Sequence, residues 1–132
     1  MAFFLHELIP LELGRREPDV WRGDLASGEK DIVYIPDPSL SVEIKCSSHP
    51  AKVFANRSYA QKPTDAKKGK SGYYLTVNFE KLTPSSPQPK VVLVRFGWLD
   101  HSDWSGQAAP TGQQASLSPQ ADQGKLVVLY RA

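Results

Sequence analysis

The sequence predicts an α/β fold: a mixed, mostly antiparallel sheet of about five strands flanked by one or two helices. Three observations carry this. Asp31-Ile-Val-Tyr-Ile35 and Leu40-Ser-Val-Glu-Ile-Lys-Cys46 are apolar, β-branched runs joined by Pro36-Asp-Pro-Ser39, the pattern of a hairpin. Three more apolar runs, Gly72 to Phe79, Lys90 to Phe96 and Lys125 to Tyr130, have strand length and composition. Two segments, Phe3 to Leu13 and His49 to Gln61, carry partly apolar faces that suit helices.

Taken in order, Phe3, Phe4, Leu5, Leu8, Ile9, Leu11 and Leu13 supply one apolar helical face, which Pro10 interrupts. From Gly14 to Lys30 the chain is polar and rich in turn formers, broken by Val20-Trp21. The hairpin follows. Pro50 suits a first helical turn, with Ser47 or Ser48 before it as a cap and Val53, Phe54 and Tyr59 on the apolar side. Lys62 to Ser71 reads as a basic loop. Thr83-Pro-Ser-Ser-Pro-Gln-Pro89 connects two strands and cannot itself be a central strand. Gly97 to Gln123 shows little periodicity. There are no internal repeats, and residues 1–132 are expected to form a single domain.

Bulk properties exclude several classes. Hydrophobic residues make up 40% and charged residues 23%, the balance of a globular chain and not a disordered one. The net charge of +2 neither proves nor excludes a nucleic-acid partner, because local patches decide that. The single cysteine, Cys46, cannot form an internal disulfide. No apolar run approaches the ~18 residues of a membrane span, and Met-Ala-Phe-Phe-Leu lacks the basic start of a signal peptide. A cytoplasmic protein with no membrane contact is expected.

Chemistry concentrates in the hairpin. Strand alternation puts Glu43 and Lys45 on one face and turns Ile44 to the other. Folding about Asp37-Pro38 brings Asp31 opposite a residue near Lys45, where paired residues lie about 4.5–5.5 Å apart at Cα. Two carboxylates, Asp31 and Glu43, then suit Mg²⁺, with Mn²⁺ able to substitute. Such an ion polarises a phosphoryl oxygen and lowers the pKa of a bound water. Lys45 would orient that water or neutralise the scissile phosphate. A surface salt bridge also accounts for a bare Glu-x-Lys, but Ile32, Val33, Ile35, Val42 and Ile44 mark this hairpin as core, where solvated charges are less expected.

The spacing Asp31-(eleven residues)-Glu43-Ile-Lys45 resembles the active-site signature of the PD-(D/E)XK nuclease superfamily. Longer segments resemble the ScaI-type branch of type II restriction endonucleases: Glu43 to Ser48, Asn56 to Gln61, Ser71 to Glu80 and Arg95 to Trp104. The resemblance implies a restriction-endonuclease-like core, Mg²⁺-dependent hydrolysis of double-stranded DNA and a homodimer cutting a palindrome. It leaves open a junction-resolving or repair nuclease of the same superfamily, and a nuclease-like DNA-binding module without activity.

Accessory roles follow from it. Glu7 and Glu12 are candidates for a further acidic group on the N-terminal helix, though such glutamates are often only solvated. Asn56 and Gln61 are candidates beside the centre. Arg57, Lys62, Lys67, Lys68 and Lys70 could grip DNA phosphates, and Gln107, Gln113 and Gln114 could pair with adenine. Asp100, His101 and Asp103 fit no standard zinc spacing, so their segment is expected to contact DNA or a second subunit through Trp98 and Trp104. Cys46 has no His or Asn partner at a family spacing and reads as packing.

Overall fold

Both arms of the hairpin and the three further apolar runs of strand length form strands. The structure, a computed structural model, describes residues 1–62 and 70–132. The expected Lys67 and Lys68 lie outside the described residues. The chain runs α1 (Ala2–Arg16), β1 (Trp21–Gly23), β2 (Ile32–Tyr34), β3 (Val42–Ser47), β4 (Phe54–Asn56), β5 (Gly72–Phe79), β6 (Val91–Leu99), β7 (Trp104–Gly106), β8 (Gln114–Leu117), α2 (Pro119–Gly124) and β9 (Val127–Arg131).

Six strands form the main sheet, in the order β1-β2-β3-β5-β6-β9. All neighbours are antiparallel except β3 and β5, which run parallel. A parallel pair cannot be closed by a tight turn, so the chain makes a crossover between them. Part of that crossover, β4, joins β8 and β7 in a second, three-stranded sheet. This is the mixed α/β architecture expected, with one more strand in the main sheet and a second sheet besides. The second sheet is built of short strands of three and four residues: β7 and β8 arise where the sequence shows little periodicity, and β4 arises in the segment expected to be a helix.

Alternation along β3 decides which side chains meet which layer. Val42 and Ile44 point to a core with Ile32, backed by Ile9 and Leu13 of α1. Glu43 and Lys45 point the other way, beside their β5 partners Tyr74 and Thr76. That second face carries the larger core, in which Tyr74 and Leu99 pack with Val53, Tyr59 and Trp104. Gly97 lets the chain after α2 close on this face, because a Cβ there would sit 2.0 Å from the carbonyl oxygen of Lys125.

Three expectations are corrected. Pro10 does not end the first helix; α1 runs through it, and the ring is buried against Gly23. The apolar residues of α1 also do not share one buried face, for Ile9 and Leu13 pack inward while Phe3, Phe4, Leu8 and Leu11 stay exposed. The segment from His49 to Gln61 is not an α-helix. It holds β4 and a 3-10 turn at Arg57–Ala60. Long-range partners override the local propensity: β4 pairs with β8, Asn78 donates to the carbonyls of His49 and Lys52, and Arg95 donates to that of Ala51. None of the helices is long and apolar enough to cross a membrane, among the described residues.

Candidate active site

The hairpin register is fixed by Ile32 standing opposite Val42. Continuing it by one residue brings Asp31 alongside Glu43, one step short of the placement near Lys45 that a turn about Asp37-Pro38 predicts. The 3-10 turn at Pro38–Leu40 takes up the difference. Asp31 Oδ2 accepts a 2.8 Å hydrogen bond from the backbone N–H of Ile44. Burial raises its carboxyl above the ordinary range, and the neighbouring Glu43 charge raises it further.

Glu43 and Lys45 are joined by a residue that the sequence reading placed on an apolar face and not at the site. The Tyr59 hydroxyl donates to Glu43 Oε1 at 2.8 Å and accepts from Lys45 Nζ at 2.8 Å, while the two charged groups stand 3.5 Å apart. Burial and the Glu43 carboxylate push the phenol far above its ordinary pKa, so it stays a neutral hydroxyl. Three lysines gather round these rings. Lys45 and Lys70 lie over Tyr59, at 4.2 and 4.9 Å from its centroid, and Lys30 lies over Tyr74 at 5.9 Å. Burial lowers the pKa of Lys30.

Two carboxylate oxygens, Asp31 Oδ1 and Glu43 Oε2, have no hydrogen-bond donor among the described residues, whereas Oδ2 and Oε1 are held. Adjacent carboxylates that repel each other and keep free hard oxygens fit a divalent cation that retains part of its water. Among the described residues no three of His, Cys, Asp and Glu gather as a metal site, so water or substrate would complete the shell. Glu7 and Glu12 therefore do not join the pair. Glu12 instead accepts from Arg15 and Arg16, which hold its carboxyl down at about 2. The α1 residue that does reach the site is His6, with Nε2 3.1 Å from the Ile44 carbonyl and 3.8 Å from Asp31 Oδ2.

A cleft of about 490 Å³ opens beside Lys45, lined also by His6, Asn56, Gln107, Gln113 and Gln114. The expected glutamines and Asn56 are thus brought to Lys45; Gln61 and Lys62 lie outside this lining. Arg57, expected to contact a phosphate, also has a structural part. Its Nη1 donates to the carbonyls of Ala109, Pro110 and Gly112, which fixes the loop bearing the glutamines.

The Asp100–Trp104 segment is corrected more sharply. Trp104 is buried with Tyr59 and Tyr74, so it cannot anchor a DNA or subunit interface. Asp100 and Asp103 cap their own 3-10 turn and pair with Lys125. Of the two tryptophans, Trp98 is exposed and Trp104 is not. The Cys46 thiol is pushed up to about 11 by burial, consistent with packing and not with a nucleophile.

A family model described as ScaI restriction endonuclease matches residues 1–130. The chain belongs to the ScaI restriction endonuclease family. It is 47% identical over 132 residues to a protein named Type II restriction enzyme ScaI from Streptomyces caespitosus. That alignment takes in 98% of this chain and 58% of the relative, so the chain spans little more than half the relative's length. No solved structure matches it. The family match covers α1, the hairpin, Tyr59 and the glutamine loop together.

Of the residues that sequence reasoning missed, Tyr59 lies inside the segment Asn56 to Gln61, already singled out by resemblance. The signal available was a tyrosine in a buried position, whose hydroxyl must find a polar partner. His6 and Lys30 carry no comparable signal, since one sits on a mixed helix and the other ends a loop.

Proposed function

We propose that this chain, acting as one PD-(D/E)XK nuclease domain over residues 1–132, is a metal-dependent type II restriction endonuclease that hydrolyses double-stranded DNA at a palindromic site. The observation that carries the proposal is the convergence of Asp31, Glu43 and Lys45 beside a cleft lined by glutamines. The name of the relative, a type II restriction enzyme, supports it. A cytoplasmic location accords with the lone, half-buried cysteine.

In this reading Asp31 and Glu43 hold Mg²⁺ or Mn²⁺, which when bound supplies Lewis-acid polarisation of the phosphoryl oxygen and a more acidic water. The Lys45 ammonium lines the cleft and neutralises charge building on the scissile phosphate. Lys70 and Lys30 extend the positive field along the same rings, and Lys62, Lys67 and Lys68 add phosphate contacts. Gln107, Gln113 and Gln114 have the amide geometry to read adenine in the major groove, held in place by Arg57.

Purified chain is expected to cut plasmid DNA with Mg²⁺ or Mn²⁺, to stop on chelation, and to bind without cutting when Ca²⁺ replaces Mg²⁺. Plasmid left intact across metals while DNA is still retained would replace this reading with that of a binding module. Cleavage confined to four-way junctions would replace it with that of a resolving enzyme.

Double-strand cleavage at a palindrome calls for two centres related by a two-fold axis. The last strand, β9, is an edge of the main sheet, and Val127, Val128, Leu129 and Tyr130 on it are all exposed. An apolar edge of this kind pairs readily with another strand. We therefore expect a homodimer joined through β9, with Trp98 near the interface. Light scattering should report twice the monomer mass at micromolar concentration, and a monomer both free and DNA-bound would refute the arrangement.

A further inference from the structure

We propose that Tyr59 is a positioning residue of the nuclease centre, holding Lys45 and Glu43 apart so that each stays available to its own task. The inference rests on the nuclease reading and deepens it. Glu43 and Lys45 sit two residues apart on one face of β3, close enough to collapse into a direct ion pair. Such a pair would close to about 2.7–2.9 Å. Here the separation is 3.5 Å, and the phenol bridges it with two 2.8 Å hydrogen bonds.

The chemistry of the bridge is matched to both sides. A hydroxyl offers one donor and two acceptor lone pairs. It can therefore accept a hydrogen bond from the ammonium and donate one to the carboxylate, while both groups keep their charge. One Glu43 oxygen is thereby held, and Oε2 keeps no protein donor among the described residues. The ring face also attracts the Lys45 and Lys70 ammonium groups. The ring in turn is set edge-on against Tyr74 and Trp104, with centroids 6.4 and 5.8 Å away. Both neighbours are buried, so the phenol is a stiff arm and its hydroxyl has little room to wander.

Without the hydroxyl, Lys45 closes onto Glu43 and competes with a cation for it. Tyr59→Phe removes one oxygen and keeps the ring, its packing and its cation contacts. Using the full chain, Mn²⁺ affinity is measured by calorimetry, and kcat and KM are measured on a DNA duplex. The variant is expected to bind Mn²⁺ about tenfold more weakly and to lose kcat by about 10- to 100-fold, with KM and melting temperature unchanged. A role in packing alone would move neither metal affinity nor kcat. Values within twofold of wild type, or a variant that no longer melts cooperatively, would overturn the proposal.

The arms also separate the two readings. Wild type that binds Mn²⁺ without cutting DNA, beside a Tyr59→Phe variant that binds it more weakly, would remove the nuclease reading and keep the positioning role. Wild type that cuts DNA, beside an equally active variant of equal affinity, would do the reverse. Wild type that binds no Mn²⁺ would remove both.

Discussion

Asp31→Asn should abolish DNA cleavage while the protein stays folded and binds DNA, and Asp37→Ala should cut at close to the wild-type rate. The contrast matters because Pro36-Asp37 spells the literal dipeptide of the superfamily's name. Asp37, however, is occupied in the turn. Its Oδ1 accepts from the Ser39 backbone at 3.1 Å and from the Ser39 hydroxyl at 2.6 Å, capping the 3-10 turn at the exposed end of the hairpin. Asp31 stands at the other end beside Glu43, tied to the Ile44 N–H.

The asparagine keeps an oxygen for that N–H and removes only the charge, so the stability cost should stay within about 1 kcal/mol. Losing a metal's several kcal/mol of transition-state stabilisation, at about 1.4 kcal/mol per tenfold, lowers the rate by a thousandfold or more. Cleavage rates of both variants, with circular dichroism for the fold and DNA retention in Ca²⁺, decide the matter. An active Asp31→Asn protein, or a folded but dead Asp37→Ala protein, would move the centre away from Asp31.

The gathering of Asp31, Glu43 and Lys45 was legible because its logic is local. Period-two alternation puts Glu43 and Lys45 on one face whatever the rest of the chain does. A hairpin between two β-branched runs must also bring Asp31 near them. What the sequence could not supply was the exact register, since a 3-10 turn at Pro38–Leu40 uses residues differently from a tight turn. The crossover was misread for a related reason. Pro50 after two serines is a good helix start, and the competing bonds come from β8, some sixty positions away. Tyr59 follows from that misreading: on a helix it is an apolar-face residue, whereas on a 3-10 turn behind β4 its hydroxyl reaches Glu43. Trp104 failed in the opposite sense, because a tryptophan in a polar stretch looks like a surface anchor until β7 and β8 fold it over Tyr74.

The largest stability effect is expected at Arg95, the buried cation of β6. It is only 5% exposed, yet it carries a full charge into the larger core face. Its Nη1 donates to the Asp122 carboxylate at 3.0 Å and to the Asp122 carbonyl at 3.1 Å, and its Nη2 donates to the Ala51 carbonyl at 2.8 Å. One side chain thus ties α2 to the crossover that leads into β4 and Tyr59. Asp122→Ala would leave the guanidinium buried with carbonyl dipoles as its only compensation. Breaking a buried pair from one side costs about 3–5 kcal/mol; with Asp122 itself partly exposed, the lower end, about 3 kcal/mol, is expected here. That corresponds to a fall of roughly 10 °C in melting temperature for a chain of this size. Replacing both partners, as Arg95→Met with Asp122→Ala, removes the stranded charge and should recover part of the loss. Thermal melts of the single and double variants measure this directly. A single variant within about 1 kcal/mol of wild type, or a double variant less stable than Asp122→Ala, would show that the carboxylate does not compensate Arg95.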